Sequence, residues 1–344
     1  MLLTLNCGSS SLKFGAYERA GADVRLVADG EIEEIGGQDY VKALERALQS
    51  LKEHGAANFE AVGHRFVHGG PRLRRHFVLD ANSERELEAA SDFAPLHMPT
   101  ALAVLRSAKE QMPGLPQVIC LDTAFHREMP DLGRTFALPE RVRALGIERY
   151  GFHGLSLESI LHQLPTRPSH LIVAHLGNGA SVTAIRDGQS IDTSMGMTPT
   201  GGFLMGTRSG DLDPGVMVYL LRHGFESAEA LERTFDHESG LLGVSGQTSD
   251  VRKLSALRAN DAHADLALRL FSYQVRKTIA AMAAALGGVE LLVFTGGIGE
   301  HATEVRNDII AGLKFLGDFQ ISVLPSREDE QIARNAVTLV SKIS

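Results

Sequence analysis

The pattern of hydrophobic and polar residues predicts a β-hairpin in the middle of the chain. Residues 171–176 form a nearly continuous apolar run, which is typical of a strand covered on both faces. The run ends at Gly177-Asn178-Gly179, where the Asn-Gly pair predicts a tight turn with positive φ at its central residues. Apolar spacing resumes at Val182 and Ile185, so a second strand is expected to return beside the first.

The first residues of the chain repeat this plan. Residues 2–17 contain an apolar strand, a Gly/Ser turn with one asparagine, and a strand with Leu12, Phe14 and Ala16 on alternate positions. A turn lined by glycines exposes successive backbone N–H groups, which can cradle a phosphate. One such turn alone is more typical of an ordinary hairpin tip. Two of them predict a duplicated domain, with a phosphate turn in each half and a cleft between the halves.

Strands and helices alternate along the rest of the chain, which predicts an α/β fold. Strands are predicted at residues 24–35, 59–67, 117–121 and 290–295, and helices at residues 40–54, 83–92, 100–112 and 261–286. The helix at residue 83 is expected to begin with a capping box formed by Ser83 and Glu86. Strand 117–121 delivers Asp122 at its carboxyl end, where ligands bind in open α/β sheets.

A glycine-rich segment at residues 192–214 is expected to be an ordered, functional loop. Loops of this length without secondary structure are uncommon unless they are functional or disordered, and Phe203 and Leu204 are poorly suited to disorder. Arg208 lies inside the segment between two glycines. Asp213 is predicted to cap the next helix, which would begin at Pro214.

Composition limits the function classes. With 344 residues and 44% hydrophobic content, the chain can bury two cores. The net charge of -8 and the pI near 6.0 argue against nucleic acid as a main partner. Cys7 and Cys120 lack CxxC spacing, which is typical of a protein in a reducing cytosol. The 14 histidines show no spacing typical of a zinc site.

No signal peptide or membrane segment is expected. The apolar start of the chain lacks a basic flank. The longest apolar run, residues 279–294, is divided by Gly287-Gly288 and Glu290 into a helix end and a strand. These features predict a soluble, cytoplasmic protein.

Eight motifs, in the same order along almost the whole chain, resemble the acetate/propionate kinase family. An ordered set of this kind is far more specific than a single glycine loop. The motifs are NCGSSSLKF (residues 6–14), HRFVHGG (64–70), PLHMP (95–99), LDTAFH (121–126), YGFHG (150–154), HLGNGAS (175–181), DTSMGMTP with GTRSGDLDP (192–199 and 206–214), and FTGGIGE (294–300).

The resemblance implies a fold and an activity. The fold is the duplicated, ribonuclease H-like two-domain α/β fold of acetokinases, sugar kinases, Hsp70 and actin, with the nucleotide in a cleft between the domains. Residues 1–124 and 330–344 would form the N-terminal half, and residues 125–329 the C-terminal half. The activity is reversible transfer of the ATP γ-phosphoryl group to acetate or propionate, which gives an acyl phosphate and ADP. A homodimer is implied as well.

The chemistry explains which residue types such a site needs. A carboxylate is already ionised at neutral pH, so it can attack phosphorus without a general base. The difficulty is its repulsion by the triphosphate, which cations and positioning must overcome. By the resemblance, Arg65 holds the substrate carboxylate, and Arg208 and His153 stabilise the transferring phosphoryl group. Arginine suits this task because its planar fork pairs two oxygens and keeps its charge.

Asp122 has two interpretations. It is either the N-cap of a helix at residues 123–128 or, by the resemblance, a catalytic group. Because an ionised acid needs no base, we expect it to orient Mg²⁺ and water. The resemblance gives Asn6 and Glu328 as ligands of Mg²⁺ (or Mn²⁺), although residues 325–330 also fit a capped helix start.

The resemblance also assigns nucleotide contacts along the chain. Contacts to ATP or ADP are expected from Lys13, His175, Leu176, Gly177, Asn178, Gly179, Asp250, Val251, Arg252, Gly297, Ile298, Gly299, Glu300 and His301.

The chain departs from the family pattern at several positions. Leu157 replaces a histidine, Gly201 an acidic residue, and His301 an asparagine, and the chain is shortened near residues 34–38 and 316–323. Two other classes therefore stay open. One is a kinase or phosphatase of the same fold that acts on another substrate, such as a longer or branched acid, and the other is a nucleotide-binding module with little or no turnover.

Overall fold

The computed structural model describes residues 1–8, 11–21, 23–33, 35, 40–95, 97–225 and 227–342. Two predictions fall partly outside these residues. The Gly/Ser turn of the first hairpin includes Ser9 and Ser10, and the shortened segment near residues 34–38 includes only one described residue.

The strands of the described chain follow the predicted order. They are β1 (Leu2–Cys7), β2 (Leu12–Ala20), β3 (Asp23–Ile32), β4 (Ala61–Phe66), β5 (Phe77–Val78), β6 (Gln117–Leu121), β7 (His170–Leu176), β8 (Ala180–Arg186), β9 (Gln189–Thr193), β10 (Leu291–Thr295) and β11 (Gln320–Val323). Short 3-10 helices occur at Ala90–Phe93, Ala124–His126 and Lys314–Leu316.

The α-helices lie between and after these strands. They are α1 (Tyr40–Glu53), α2 (Ala81–Ala89), α3 (Met98–Gln111), α4 (Asp131–Arg134), α5 (Glu140–Arg143), α6 (Gly154–Gln163), α7 (Pro214–Arg222), α8 (Ala228–His237), α9 (Gly240–Ser245), α10 (Val251–Leu257), α11 (Ala262–Leu286), α12 (Gly296–His301), α13 (Thr303–Ala311) and α14 (Glu328–Val340).

The chain divides into two compact units. The first comprises Met1–Arg127, Phe152–His162 and Arg327–Ser344, and the second comprises Glu128–Gly151 and Gln163–Ser326. The segment Phe152–His162 therefore packs with the first unit, whereas the resemblance assigned it to the C-terminal half. The physical reason is that Leu155 of this segment is fully buried in a core of the first unit.

Each unit is built on one mixed sheet, and the two sheets share the topology of five strands, to which β5 adds an antiparallel edge strand in the first unit. The order in the first unit is β3-β2-β1-β4-β6-β5, and in the second it is β9-β8-β7-β10-β11. In both sheets an antiparallel three-stranded meander is followed by two parallel strands. The register of the meander shifts after Ala16 in β2 and after Ala184 in β8, four residues after each strand begins. The predicted hairpins are confirmed, and the shared topology supports the duplication.

The core of the first unit lies on both faces of its sheet. Leu3 and Leu5 of β1 pack with α1 and α3 on one face, and Leu2 packs with α14 on the other. Because successive residues of a strand point to opposite faces, a strand covered on both sides is mostly apolar, as β1 is. Full burial of each leucine contributes about 1.5–3 kcal/mol to folding.

The long helix α11 packs on the sheet of the second unit, against β7, β8 and β9. Its N-cap is Asp261, whose side chain accepts hydrogen bonds from the backbone N–H groups of His263 and Ala264. The helix ends at Gly287 with a φ of 82°, a left-handed conformation that glycine adopts at little cost. The apolar run that resembles a membrane segment is thus a helix, a cap and a strand. Among the described residues, none of the helices combines the length and the apolar character that a bilayer span requires.

Local details differ from three predictions. Residues 177–179 form a three-residue loop between Leu176 and Ala180, and no described residue of this loop has a positive φ. The prediction of a tight Asn-Gly turn is therefore wrong, because the strand pairing leaves three residues rather than two to close the hairpin. The loop is held by a hydrogen bond from the Gly177 N–H to the Gly179 carbonyl, with an N···O distance of 3.1 Å.

The other two differences concern helix starts. Helix α2 is capped by Asp80, whose carboxylate accepts the N–H groups of Asn82 and Ser83, while the Ser83 hydroxyl accepts from the Asp80 N–H. Ser83 is thus the third helical residue rather than the cap. Helix α14 follows Arg327, which has a φ of 41° and provides no side-chain cap. The capped start expected at residues 325–330 is wrong in that respect.

We expect the stability of the first unit to depend on the ionised form of Asp23. Partial burial raises the pKa of Asp23, but hydrogen bonds from Arg334, the Val24 N–H and His162 lower it to about 2, below its ordinary value of 3.8. A carboxyl whose pKa is lowered by folding contributes stability above its ordinary pKa and loses it as the pH falls. Asp23→Asn should therefore lower the free energy of unfolding at pH 7, and by less at pH 3.5, in urea titrations.

The matched control is Glu33→Gln, since Glu33 is an exposed carboxyl just beyond β3. This change should alter the free energy of unfolding by less than about 0.5 kcal/mol at either pH. An Asp23→Asn effect that grew as the pH fell would contradict the prediction.

Candidate functional site

The carboxyl edge of the first sheet gathers polar side chains from neighbouring strands. Asn6 lies near the end of β1, and Arg65 near the end of the adjacent parallel strand β4. Asp122 follows β6, which is the next strand along, and its N–H donates to the Phe66 carbonyl. Because these strands are parallel, their carboxyl ends meet at one edge of the sheet.

Arg65 and Asp122 form a buried ion pair. The Arg65 Nη2 to Asp122 Oδ2 distance is 2.7 Å, and Nε lies 3.1 Å from both carboxylate oxygens. The Asp122 side chain is 2% exposed and that of Arg65 is 20% exposed. Burial lowers the pKa of Arg65, but the carboxylates of Asp122 and Glu328 outweigh burial and raise it, so the guanidinium keeps its charge. Burial raises the pKa of Asp122, and Arg65 opposes that rise.

The expectation that Asp122 caps a helix is wrong. The turn after β6 is a short 3-10 helix that begins after Thr123, and Thr123 forms no side-chain cap. The Asp122 carboxylate instead accepts three hydrogen-bond contacts from Arg65.

Asn6 connects this ion pair to helix α14. Its Oδ1 accepts from Arg65 Nη1 at 3.2 Å, and its Nδ2 donates to Asp329 Oδ1 at 2.9 Å. Burial raises the pKa of Asp329, and the neighbouring Glu328 raises it further. The hydrogen bond from Asn6 and the charges of Lys13 and Arg65 oppose this rise.

Asp329 is a site residue that sequence reasoning missed. The acidic run at the start of α14 gave a signal, but three successive acids offered no way to decide which one reaches Asn6. Lys13 lies on β2 directly opposite Asn6 in the hairpin register. Its side chain is exposed, in keeping with a position at the rim.

His153 is brought to the same edge by the start of α6. Its φ is 61°, which is uncommon for a residue with a Cβ and costs of order 1 kcal/mol. The Gly154 N–H donates to the Asp122 carbonyl at 2.9 Å. A Cβ at Gly154 would lie 2.3 Å from that carbonyl oxygen, so only glycine allows α6 to approach so closely. Leu157, at the departure from the family pattern, is fully buried.

The second unit contains a cavity of about 850 Å³ at the carboxyl edge of β7 and β10. Eight predicted nucleotide contacts line it, namely Gly177, Asn178, Asp250, Val251, Arg252, Gly297, Ile298 and His301. Sequence reasoning missed six further residues of its wall, which are Ser249, Ser255, Ala256, Ala302, Thr303 and Glu304. Its size falls within the range of small-molecule sites.

The remaining predicted nucleotide contacts of this unit do not line the cavity. His175 and Leu176 are buried in β7, and Gly179 and Gly299 lie outside the wall. Glu300 Oε1 accepts from the N–H groups of Gly296, at 3.1 Å, and Ser326, at 3.2 Å. Its carboxylate therefore fixes the loop around the start of α12.

Asp250 and Arg252 shape one wall of the cavity. Asp250 is the N-cap of α10 and accepts the Arg252 N–H. The Arg252 side chain folds back onto it, with an Nη2 to Oδ2 distance of 2.9 Å, while remaining 89% exposed. Hydrogen bonding from Arg252 lowers the pKa of Asp250. Val251 is buried beneath this pair.

Arg208 lies in an ordered loop, as expected from the glycine-rich sequence. Its Nη1 donates to the Pro199 carbonyl at 3.3 Å. The neighbouring Thr207 hydroxyl donates to the Asp236 carbonyl at 2.7 Å. Gly240, with a φ of 63°, packs against the loop, and a Cβ there would lie 2.2 Å from the Met205 carbonyl oxygen. The backbone that carries Arg208 is therefore tightly held.

The departure at Gly201 also has a local explanation. A Cβ at this position would lie 3.3 Å from Asp211 Oδ1, which accepts the Gly202 N–H. An acidic side chain at residue 201 would thus begin close to a carboxylate, so glycine avoids repulsion in this loop.

Comparisons with known proteins agree along the whole chain. The profile of the Acetokinase family matches residues 1–340. Acetate kinase 2 of Neisseria meningitidis serogroup B is 39% identical over 346 residues, which covers 92% of this chain and 86% of that protein.

Solved structures give the same result. The crystal structure of Porphyromonas gingivalis acetate kinase has a TM-score of 0.89 and 32% identity, and covers 98% of this chain and 99% of that one. The crystal structure of a propionate kinase from Francisella tularensis has a TM-score of 0.84 and 34% identity, and covers 97% of this chain and 98% of that one. A ROK hexokinase from Thermus thermophilus, at 15% identity and a TM-score of 0.51 over 100% of this chain and 99% of that one, shares the fold alone.

The contact between Gly154 and Asp122 leads to a prediction about stability. Gly154→Ala should lower the free energy of unfolding by about 1–3 kcal/mol, because the added methyl group must push α6 away from the end of β6. Gly297→Ala is the matched control, since its Cβ would meet no atom within 4 Å. Urea titrations of both variants would test this. Equal stability of the two variants would show that the approach of α6 is not tight.

Proposed function

Since the chain belongs to the acetokinase family, a group of phosphotransferases with a carboxyl acceptor, we propose that it transfers the ATP γ-phosphoryl group to acetate or propionate. The reaction is reversible and Mg²⁺-dependent, and its products are an acyl phosphate and ADP. The main support is the Arg65 guanidinium, which Asp122 and Asn6 hold in a fixed orientation at the carboxyl edge of the first sheet.

Arg65 is the group that we assign to the substrate carboxylate. Its contacts with Asp122 and Asn6 use the Nε hydrogen, one Nη1 hydrogen and one Nη2 hydrogen. A guanidinium has five N–H donors, so one further donor on each terminal nitrogen is assigned to the two oxygens of the acid. The fork geometry fixes the acid in one plane and offsets its charge.

The transfer itself needs charge compensation more than proton transfer. One carboxylate oxygen forms a bond to the γ-phosphorus while the bond from phosphorus to the β,γ-bridging oxygen breaks, and ADP leaves with that electron pair. No proton is removed from the acid, because it is already ionised. We assign Arg208 and His153 to the equatorial oxygens of the phosphoryl group in flight. Asp122 orients Arg65 and, in our proposal, water around the metal.

A magnesium ion fits the residues next to Arg65. Among the described residues, no three His, Cys, Asp or Glu side chains are arranged to hold a metal. Mg²⁺, however, keeps several waters and takes only one or two protein oxygens together with phosphate. Asn6 and Glu328 would supply them, and Asp329 lies beside Asn6. When bound, the ion would offset charge on the triphosphate.

The cavity of the second unit is our proposed nucleotide site. It is lined by Gly177 of the loop after β7, by Gly297 in the first turn of α12, and by the apolar side chains of Val251 and Ile298. Glycines allow a phosphate or ribose to approach the backbone, and apolar side chains suit the faces of a purine ring. His301 and Glu304 provide polar groups in the wall.

Two other functions remain as alternatives. A nucleotide-binding module with little turnover is suggested by the departures at Leu157, Gly201 and His301. A kinase for a longer or branched acid would use the same charges with a different acyl pocket. Both differ from the proposal in whether a short acyl phosphate is formed.

Trapping of the product with hydroxylamine distinguishes these functions. With ATP and Mg²⁺, the protein should form hydroxamate from acetate or propionate and less from C4 and C5 acids. Removal of the metal with EDTA should abolish product, because charge compensation is lost. ATP binding without any hydroxamate would favour the binding module, and a preference for C4 or C5 acids would favour the second alternative.

In the same assay, Arg65→Lys should lower kcat/KM for the acid by about 100-fold, since lysine cannot pair two oxygens in one plane. Arg25→Lys is the control, because Arg25 is 72% exposed in a surface ion pair with Glu18. Unchanged activity of Arg65→Lys would argue against its proposed role.

We also propose a homodimer, which helix α7 supports. All of α7 is described and none of its residues is buried, although six of its nine residues are apolar or tyrosine. Val218, Tyr219 and Leu221 are 46%, 61% and 51% exposed. Contiguous exposed apolar surface of this kind marks protein–protein interfaces.

The double variant Val218→Glu/Leu221→Glu should convert the dimer to a monomer, because association would bury two unpaired carboxylates. Sedimentation at micromolar concentration measures this. Leu26→Glu is the control, since Leu26 is 47% exposed on β3. A dimer that survives the double variant would place the interface elsewhere.

A further inference from the structure

Glu158 is a largely buried carboxylate that no part of the proposed reaction uses. Its side chain is 19% exposed and lies on α6, one helical turn after Gly154. It accepts hydrogen bonds from His76 Nε2 at 2.9 Å, Asn335 Nδ2 at 3.0 Å and Gln331 Nε2 at 3.4 Å. Burial raises the pKa of this carboxyl, but His76 and the two amides outweigh burial and lower it.

His76 transmits this contact to the strand that carries Asp122. The Leu121 N–H donates to His76 Nδ1 at 3.0 Å. Because Nδ1 accepts, the ring proton lies on Nε2, which donates to Glu158. The imidazole therefore joins the last residue of β6 to α6 through two hydrogen bonds of fixed direction.

Glu158 thus connects three elements that each carry a proposed site residue. Through His76 it holds the end of β6, after which comes Asp122. Its own helix follows His153, and the first residue of that helix bonds the Asp122 carbonyl. Through Gln331 and Asn335 it holds α14, which begins with Glu328 and Asp329.

We infer that Glu158, together with His76, is a positioning residue that sets the distances among Asp122, His153 and the acidic start of α14. The inference rests on the proposed function, because it assigns these three groups to one reaction. A displacement of about 1 Å at such a site can cost roughly 100-fold in rate. Loss of the Glu158 contacts should therefore lower kcat far more than it weakens nucleotide binding.

The test is Glu158→Gln, which keeps the shape of the side chain. Glutamine replaces one carboxylate oxygen with an NH₂ group, so either the 2.9 Å contact from His76 or the contacts from Asn335 and Gln331 are lost, and the NH₂ group would face a donor. We expect kcat for hydroxamate formation to fall about 10- to 100-fold. The Kd for ATP, measured by calorimetry, should stay within about twofold, because the proposed nucleotide cavity lies in the other unit.

Asp23→Asn is the matched control. Asp23 binds the same two helices, through His162 of α6 at 3.2 Å and Arg334 of α14 at 2.7 Å. It lies at the start of β3, at the opposite edge of the sheet from Asp122. This variant should lose stability but keep kcat within about twofold of the parent.

A second pair of variants separates the two hydrogen bonds of His76. Asparagine at this position can reproduce the Nδ1 acceptor, and glutamine can reproduce the Nε2 donor. Because the connection needs both atoms, His76→Asn and His76→Gln should each lower kcat. These milder changes also serve if Glu158→Gln does not fold.

Hydrogen exchange provides a readout that does not depend on activity. The Leu121 and Gly154 amides should exchange faster in Glu158→Gln than in Asp23→Asn at equal global stability. If the parent protein forms hydroxamate and Glu158→Gln has the same kcat, the inference is overturned and the proposed function stands. If the parent protein forms no hydroxamate, the proposed function is refuted, and the exchange rates of the Leu121 and Gly154 amides then decide the inference. Unchanged exchange in Glu158→Gln overturns it, and faster exchange supports it.

Discussion

The first unit depends on the buried pairing of Arg65 with Asp122. A guanidinium can be taken out of water only next to a counter-charge whose geometry matches it, and the two oxygens of Asp122 meet that need, with Oδ2 at 2.7 Å from Nη2 and Oδ1 at 3.1 Å from Nε. Asn6 then fixes the other side of the fork. The pair and Asn6 therefore connect the carboxyl ends of β1, β4 and β6. Its net charge is close to zero, while Glu328 and Asp329 add negative charge nearby. In our proposal, further positive charge enters this site together with an anionic substrate.

One sheet design supports two different sites in this chain. In the first unit Asn6 lies beside Arg65 at the ends of β1 and β4, whereas the corresponding pair in the second unit is His175 and Thr295. The first edge carries Arg65, whereas the cavity at the second edge is lined mostly by glycines and uncharged side chains, with Asp250, Arg252 and Glu304 in its wall. The same backbone pairing therefore permits different side chains at the two edges, because the side chains at strand ends contribute little to the register. This explains how a duplicated fold can divide two tasks between its halves.

Much of the fold was predictable, because apolar runs and glycine turns are local signals. The strand that precedes Asp122 and the helix beginning after Asp261 are of this kind. The loop at Asn178 was not, because its conformation follows from the strand pairing rather than from the Asn-Gly pair. Asp329 was missed for a related reason: the rotation of α14 decides which acid faces Asn6, and tertiary packing sets that rotation. The roles assigned to Arg65, Arg208 and His153 came from ordered motifs and remain proposals.

The matching register shifts opposite Ala16 of β2 and Ala184 of β8 have a consequence for the history of this chain. Each shift leaves one extra residue in the neighbouring strand, Val27 in β3 and Ile191 in β9, and its recurrence at the same point of β2 and β8 supports descent from one half-length ancestor. Two copies of such an ancestor would have had identical residues at the carboxyl edges of their sheets, so both edges would have carried the same charge. In a single chain that joins two such copies, each edge could diverge without altering the other.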